Sequence, residues 1–126
     1  MRHAVFMTIA AIVALVYGLA FLLVPAGLLS IYGVDLNAGG QWVGRYLGSA
    51  FLAIATMTWL GRELSGPGLR TILVGDFVLT STGTVVAIFD RLYGVGNQLV
   101  WSTLGIYLLL ALGFGYFVFV KPPPRK

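Results

Sequence analysis

The chain has 126 residues, enough for one domain. Hydrophobic residues make up 59% of it and charged residues 10%, whereas a soluble domain carries about 25% charged residues. A soluble chain this short buries too small a fraction of its surface to hide so much apolar area, so the composition predicts an integral membrane protein.

The sequence contains no cysteine, and its one histidine is His3. These counts exclude disulfides, thiolate metal sites, cysteine nucleophiles and a haem held by two histidines of one chain. The net charge of +4 comes from basic residues at the ends of apolar segments. Because no basic stripe with interleaved aromatic residues occurs in the sequence, we expect contacts with anionic lipid and no nucleic-acid partner.

The first apolar segment, residues 4–29, is uncharged and longer than the roughly 20 residues that a helix needs to cross a bilayer. It also exceeds the apolar region of a signal peptide, about 7–15 residues, so we interpret it as a retained helix. Pro25 is expected to bend or end this helix, because proline lacks the amide hydrogen. A loop rich in turn-forming residues follows.

Three further predicted spans cover residues 41–60, 70–89 and 99–120, separated by polar connections. Membrane strands alternate apolar and polar residues over about 10 positions, whereas these runs are continuously apolar and about twice as long. Because only helices or closed barrels satisfy the backbone in lipid, the sequence predicts an all-α fold. We expect a single transmembrane domain, residues 1–126, that forms a four-helix up-down bundle.

Basic residues near the helix ends predict the orientation. Six of the eight lie on one side of the predicted bundle: Arg2, Arg62, Arg70, Lys121, Arg125 and Lys126. We therefore expect a multi-pass protein of the inner (plasma) membrane, surrounded by the lipid bilayer, with both termini in the cytoplasm.

Asp76 is the first candidate functional residue, because a charge inside a membrane span costs about 2.5–3.5 kcal/mol on insertion scales. Helical spacing places Thr80, Gly83, Thr84 and Asp90 on the same face. One interpretation is a proton or ion relay along this face. The other is a structural aspartate near the cytoplasmic end, tied to hydroxyls or to a basic partner. The hydroxyls themselves either line a path or bond to the preceding helical turn.

Arg45 is the second candidate, predicted about 6 Å below the outer surface and near the depth of Asp90. It either forms an ion pair with Asp90 or Asp35 that fixes the helix register, or extends to the interface. A site for an anion or a lipid headgroup is the functional alternative. Gly44 and Gly48 flank it in a small-residue motif that predicts close helix packing, as does Gly83 in the next span.

The sequence offers no catalytic constellation, metal-ligand cluster, phosphate-binding glycine loop or transmembrane lysine. We therefore predict no catalytic residue, no metal site and no cofactor, and expect that the protein is not an enzyme.

Several short motifs in the first half of the chain are similar to those of small four-helix bacterial membrane proteins of uncharacterised function, loosely DoxX-like. They are Val24-Pro25 and Ile31-Tyr32-Gly33 after the first span, Gly44-Arg45-Tyr46-Leu47-Gly48 in the second, and Trp59-Leu60-Gly61-Arg62 at its end. The resemblance implies the helical layout and supplies neither an activity nor a site.

Two functional hypotheses follow. The leading one is a non-enzymatic accessory or assembly subunit that acts by helix–helix association, as a homo-oligomer or with other membrane protein subunits. The alternative is a small transporter, channel or hydrophobic-ligand binder that uses the Asp76 face. A sealed and paired Asp76 favours the first hypothesis, and a cavity that reaches Asp76 favours the second.

Overall fold

The computed structural model describes residues 2–123, so Arg125 and Lys126 of the basic tail lie outside the described residues. All regular structure in this range is helical, which confirms the all-α prediction. The elements are α1 (His3–Leu23), α2 (Pro25–Ile31), α3 (Ala38–Gly61), α4 (Gly66–Leu92), α5 (Val100–Gly115) and a π-helical turn (Tyr116–Val120) that continues α5.

Within residues 2–123, three helical segments are long and apolar enough to cross a membrane: α1, α4, and the run Val100–Val120 formed by α5 and the π-helical turn. The remaining long helix, α3, has 24 residues and spans about 36 Å at 1.5 Å per residue. It contains no stretch as apolar as those of the other three, and it carries Gln41, Arg45 and several glycines.

The first predicted span, residues 4–29, is divided into two helices. α1 ends at Leu23, and Val24 leaves helical geometry with φ −139° and ψ 57°. Pro25 then begins α2, where its missing N–H costs no helical hydrogen bond. The expectation that Pro25 ends the first helix is therefore confirmed, whereas α2 was not predicted.

α3 and α4 begin earlier than predicted. α3 begins at Ala38, where the side-chain oxygen of Asn37 caps it by accepting a 2.7 Å hydrogen bond from the Gly40 N–H. α4 begins at Gly66, four residues before the predicted span 70–89. Its middle residue is Leu79, so Asp76 lies within one turn of the helix midpoint. It lies in the half of α4 that is nearer the α3–α4 connection.

The four long helices are arranged as two pairs, with α1 packed along α3 and α4 packed along α5. In the first pair a Cβ at Gly48 would lie 2.6 Å from the backbone nitrogen of Leu22, and one at Gly44 would lie 3.1 Å from Pro25. In the second pair a Cβ at Gly83 would lie 2.5 Å from the ring of Tyr107. All three predicted packing glycines thus lie at contacts within the chain.

The two pairs meet at both ends. At the lower end, defined here as the end with the α3–α4 connection, side chains of α1, α4 and α5 form one apolar cluster. Within it the Phe6 and Phe114 ring centroids are 4.8 Å apart, edge to face. At the upper end the Asn97 side-chain amide donates to the carbonyl of Ile31 over 2.9 Å. These contacts leave a space between the pairs.

Candidate functional site

A cavity of about 390 Å³ lies between the two helix pairs. All five helices contribute to its wall, which consists mainly of aliphatic and aromatic side chains. Phe114 of the lower apolar cluster closes one end. Leu29, Tyr32 and Gly96 lie at the other end, around the loops that follow α2 and α4.

Asp76 lies at the lower part of this cavity. Its side chain is only 7% exposed and lines the wall. The hydroxyl of Thr58 donates to Oδ2 of Asp76 over 2.7 Å, and Thr58 itself is 2% exposed. The carboxylate is therefore positioned from α3 as well as from its own helix, and it remains part of the cavity surface.

Thr58 was not among the residues predicted from the sequence. The signal was present, because Thr58 continues the stripe of α3 residues that turn inward at spacings of three and four: Gly44, Gly48, Phe51, Ala55 and Thr58. A hydroxyl at the end of a small-residue stripe was therefore a candidate partner for a polar group on the neighbouring helix.

The hydroxyls that follow Asp76 bond within α4. Thr80, which lines the cavity, donates to the main-chain carbonyl of Asp76 over 2.8 Å. Thr84 donates in the same way to the carbonyl of Thr80 over 2.8 Å, and Ser81 and Thr82 bond to carbonyls one turn earlier. Of the two interpretations of these hydroxyls, the structure agrees with the one in which they bond to the preceding helical turn.

A second polar group lies at the upper end of the cavity. Thr103 of α5 donates to the Tyr32 hydroxyl over 2.9 Å, and the hydroxyls of Tyr32 and Tyr17 of α1 are 3.4 Å apart. All three residues line the cavity. Because Thr103 and Tyr32 are separated by 71 residues in the chain, no local sequence pattern pointed to this contact.

The charged side chains in the described part of the cavity wall are all acidic. Asp76 and the half-buried Asp90 line it, while the described residues of its wall include no lysine, arginine or histidine. Within residues 2–123 the one ion pair shorter than 4 Å joins Arg62 and Glu63. A basic partner for Asp76, one of the two structural alternatives considered from the sequence, is thus not found in this part of the chain.

Arg45 lies outside the cavity. It is exposed and forms no ion pair with Asp90 or Asp35 in the described range, so the ion-pair alternative is not found there. The reason is the rotation between successive residues of a helix. Gly44 and Gly48 face α1, and Arg45, which follows Gly44, is rotated from that face by about 100° at 3.6 residues per turn. Two alternatives remain for Arg45: its side chain extends to the membrane interface, or it forms a site for an anion or a lipid headgroup.

No group of three or more His, Cys, Asp or Glu side chains that could hold a metal occurs in residues 2–123. No family model, curated protein or solved structure matches this chain. The features that bear on function are therefore the cavity and the carboxylate at its wall.

Proposed function

We propose that this protein binds a small hydrophobic molecule in the cavity between its helix pairs, with Asp76 as the polar anchor. The protein would be a multi-pass protein of the inner (plasma) membrane whose four long helices form an up-down bundle with both termini in the cytoplasm. The observation that carries the proposal is that the cavity reaches Asp76.

The form of the cavity supports this assignment. Ligand sites are concave, mostly apolar, about 300–1,000 Å³ in volume, and contain a few convergent polar groups. A volume of about 390 Å³ suits a ligand at the small end of that range. Asp76 and Thr58 supply one polar point, and the hydroxyls of Tyr32 and Thr103 supply another at the opposite end.

The wall of the cavity is mostly apolar and partly open, because Leu47 and Val86 line it and are 43% and 58% exposed. Apolar surface is favourably covered by apolar groups. A hydrophobic molecule from the bilayer suits such a wall, and the polar groups at its two ends would fix its orientation.

The accessory-subunit hypothesis rested on the absence of catalytic groups together with glycine-rich helix faces. Gly44, Gly48 and Gly83 lie at contacts within this chain, whereas Gly75 has nothing within 4 Å of its Cβ position. Asp76 is bonded to Thr58 and yet lines a cavity, which is the condition set out above for a hydrophobic-ligand binder. Binding to a partner subunit stays a prediction of lower rank.

The test is to purify the full chain in lipid nanodiscs prepared from native membrane and to identify the retained small molecules by mass spectrometry. Ala87→Phe places a ring in the cavity, because Ala87 is buried and lines its wall. Ala53→Phe is the matched control, because Ala53 is exposed on α3 and is not part of the wall.

We expect one class of molecule to be enriched over bulk lipid in the unaltered protein and in Ala53→Phe, and lost from folded Ala87→Phe. Equal enrichment in all three proteins, or none in any of them, would refute the proposal.

A further inference from the structure

We infer that the ligand of this cavity is a lipophilic cation whose positive charge pairs with Asp76. This inference rests on the proposed function and names the chemical class of the ligand. It is carried by the charge, hydrogen bonding and aromatic content of the cavity wall.

The first observation is the unbalanced charge of the wall. Asp76 and Asp90 both line the cavity, and no basic side chain does so among the described residues. A buried carboxylate without a countercharge is unfavourable, and Coulomb attraction is stronger in an apolar interior than in water. A cationic ligand supplies the missing charge, whereas an anion would be repelled by both carboxylates.

The second observation is that Asp76 has an oxygen available. Thr58 donates to Oδ2, while no side chain of residues 2–123 donates to Oδ1. The hydroxyl of Thr80, one turn away, is committed to the main-chain carbonyl of Asp76. The one enclosed side-chain polar atom without a partner in this range is Nε of Arg91, so Oδ1 is not sealed from the cavity.

The third observation is that six aromatic side chains line the wall. They come from three of the helices and the loop after α2: Tyr17, Phe21, Tyr32, Phe51, Tyr107 and Phe114. The face of an aromatic ring attracts a cation within about 6 Å, most strongly when both are away from water. Carboxylate and aromatic groups together favour a weakly hydrated cation, such as a quaternary ammonium or an aromatic cation, over a small metal ion.

The fourth observation is a route from lipid. Leu47 of α3 and Val86 of α4 both line the cavity, yet they are 43% and 58% exposed. They lie above the level at which Thr58 and Asp76 join the two helices. The exposure of these two wall residues points to a sideways opening between α3 and α4, which would face lipid in the proposed arrangement. An amphiphilic cation dissolved in the bilayer can enter there without leaving apolar surroundings.

The experiment compares probes that have the same shape and opposite charge. Tetraphenylphosphonium and tetraphenylborate are one pair, and octyltrimethylammonium and octyl sulfate are a slimmer pair, with 1-octanol as a neutral probe. Binding to the full chain in nanodiscs is measured by equilibrium dialysis, and binding to empty nanodiscs of the same lipid is subtracted.

We expect saturable binding of at least one cation and none of its anionic counterpart. Asp76→Asn keeps the shape and can still accept from Thr58, so it should fold and lower the cation affinity tenfold or more. Ala87→Phe should abolish binding, and Ala53→Phe should leave it unchanged.

Equal binding of cation and anion, binding of 1-octanol alone, or full cation affinity in Asp76→Asn would overturn this inference and leave the hydrophobic-ligand proposal standing. If no probe of any charge binds above the empty nanodiscs and nothing is enriched from native membrane, both proposals fail.

Discussion

The hydroxyl of Thr58 on α3 donates to the carboxylate of Asp76 on α4 over 2.7 Å, with both side chains at least nine-tenths buried. In residues 2–123 it is the one side-chain hydrogen bond that joins two of the long helices directly. It links the two helix pairs near the level at which the cavity begins. The bond therefore has a structural role, and it also fixes the carboxylate at the cavity wall.

Removing this hydroxyl should destabilise the protein. Thr58→Val keeps the size and branching of the side chain but leaves a buried carboxylate without its donor, so we expect the free energy of unfolding to fall by about 1–3 kcal/mol. Chemical denaturation in detergent measures it. Thr56→Val is the matched control, because Thr56 is exposed and bonds only to the carbonyl of Leu52 in its own helix. Equal losses in the two variants would mean that the bond to Asp76 contributes nothing specific.

Replacing Gly48 with alanine should separate α1 from α3. The added Cβ would meet the backbone of Leu22 and Gly18, which cannot move as a flexible side chain can. We expect a loss of about 1–3 kcal/mol in the free energy of unfolding, as for other overpacked sites. Gly75→Ala is the control, because nothing lies within 4 Å of its Cβ position, and alanine should stabilise α4 by up to about 1 kcal/mol. We expect Gly48→Ala to lower the free energy of unfolding and Gly75→Ala to raise it. An unchanged stability of Gly48→Ala would contradict the close helix contact.

Arg45→Ala should change the free energy of unfolding by less than about 0.5 kcal/mol, because Arg45 is exposed and has no ion-pair partner in the described range. The measurement is a denaturation curve in detergent beside that of Asp90→Asn. A loss above 1 kcal/mol for Arg45→Ala would favour the ion pair, which was one of the alternatives considered from the sequence.

The orientation is tested with a reporter that is active only in the cytoplasm. Because basic residues are concentrated near the ends of the chain and in the α3–α4 connection, we expect activity from a fusion at the C-terminus. A fusion in the loop that contains Asp35 should be silent, and one near Glu63 in the α3–α4 connection should be active. Activity from the Asp35 loop together with a silent C-terminus would reverse the proposed topology.

The helices could be predicted from the sequence because uninterrupted apolar runs leave few alternatives. Their starts were less predictable: Gly66 and Pro67 suggested a loop, although proline in the first turn is compatible with a helix. α2 was missed because its seven residues follow the break at Val24 within one apolar run.

The site was only half predictable. Asp76 stood out because a carboxylate in an apolar run is costly wherever it lies. Its partner did not, because the contact between Thr58 and Asp76 depends on how α3 and α4 are rotated and offset. The cavity depends on the distance between the helix pairs, which is fixed by contacts such as those of Phe6 with Phe114 and of Asn97 with Ile31. No local sequence pattern determines the distance between the helix pairs.

Asp76→Asn should leave the protein as stable as before or make it more stable. Asparagine has nearly the same shape and can still accept from the Thr58 hydroxyl, so the link between the helix pairs is retained. The substitution also removes a buried charge that has no basic partner in residues 2–123, and with it the cost of keeping that charge away from water. Thermal unfolding of ligand-free protein in detergent tests this, with Asp35→Asn in an exposed loop as the control.

When a cationic ligand is bound, the unaltered protein should instead become more stable than Asp76→Asn. A ligand that binds only the folded state raises its stability in proportion to RT ln(1 + [L]/Kd), about 2.7 kcal/mol at a hundred times Kd. A cationic probe should therefore raise the melting temperature of the unaltered protein and of Asp35→Asn, and have little effect on Asp76→Asn. A large loss of stability in ligand-free Asp76→Asn would mean that the carboxylate already has a countercharge within the protein, and the case for a cationic ligand would fall with it.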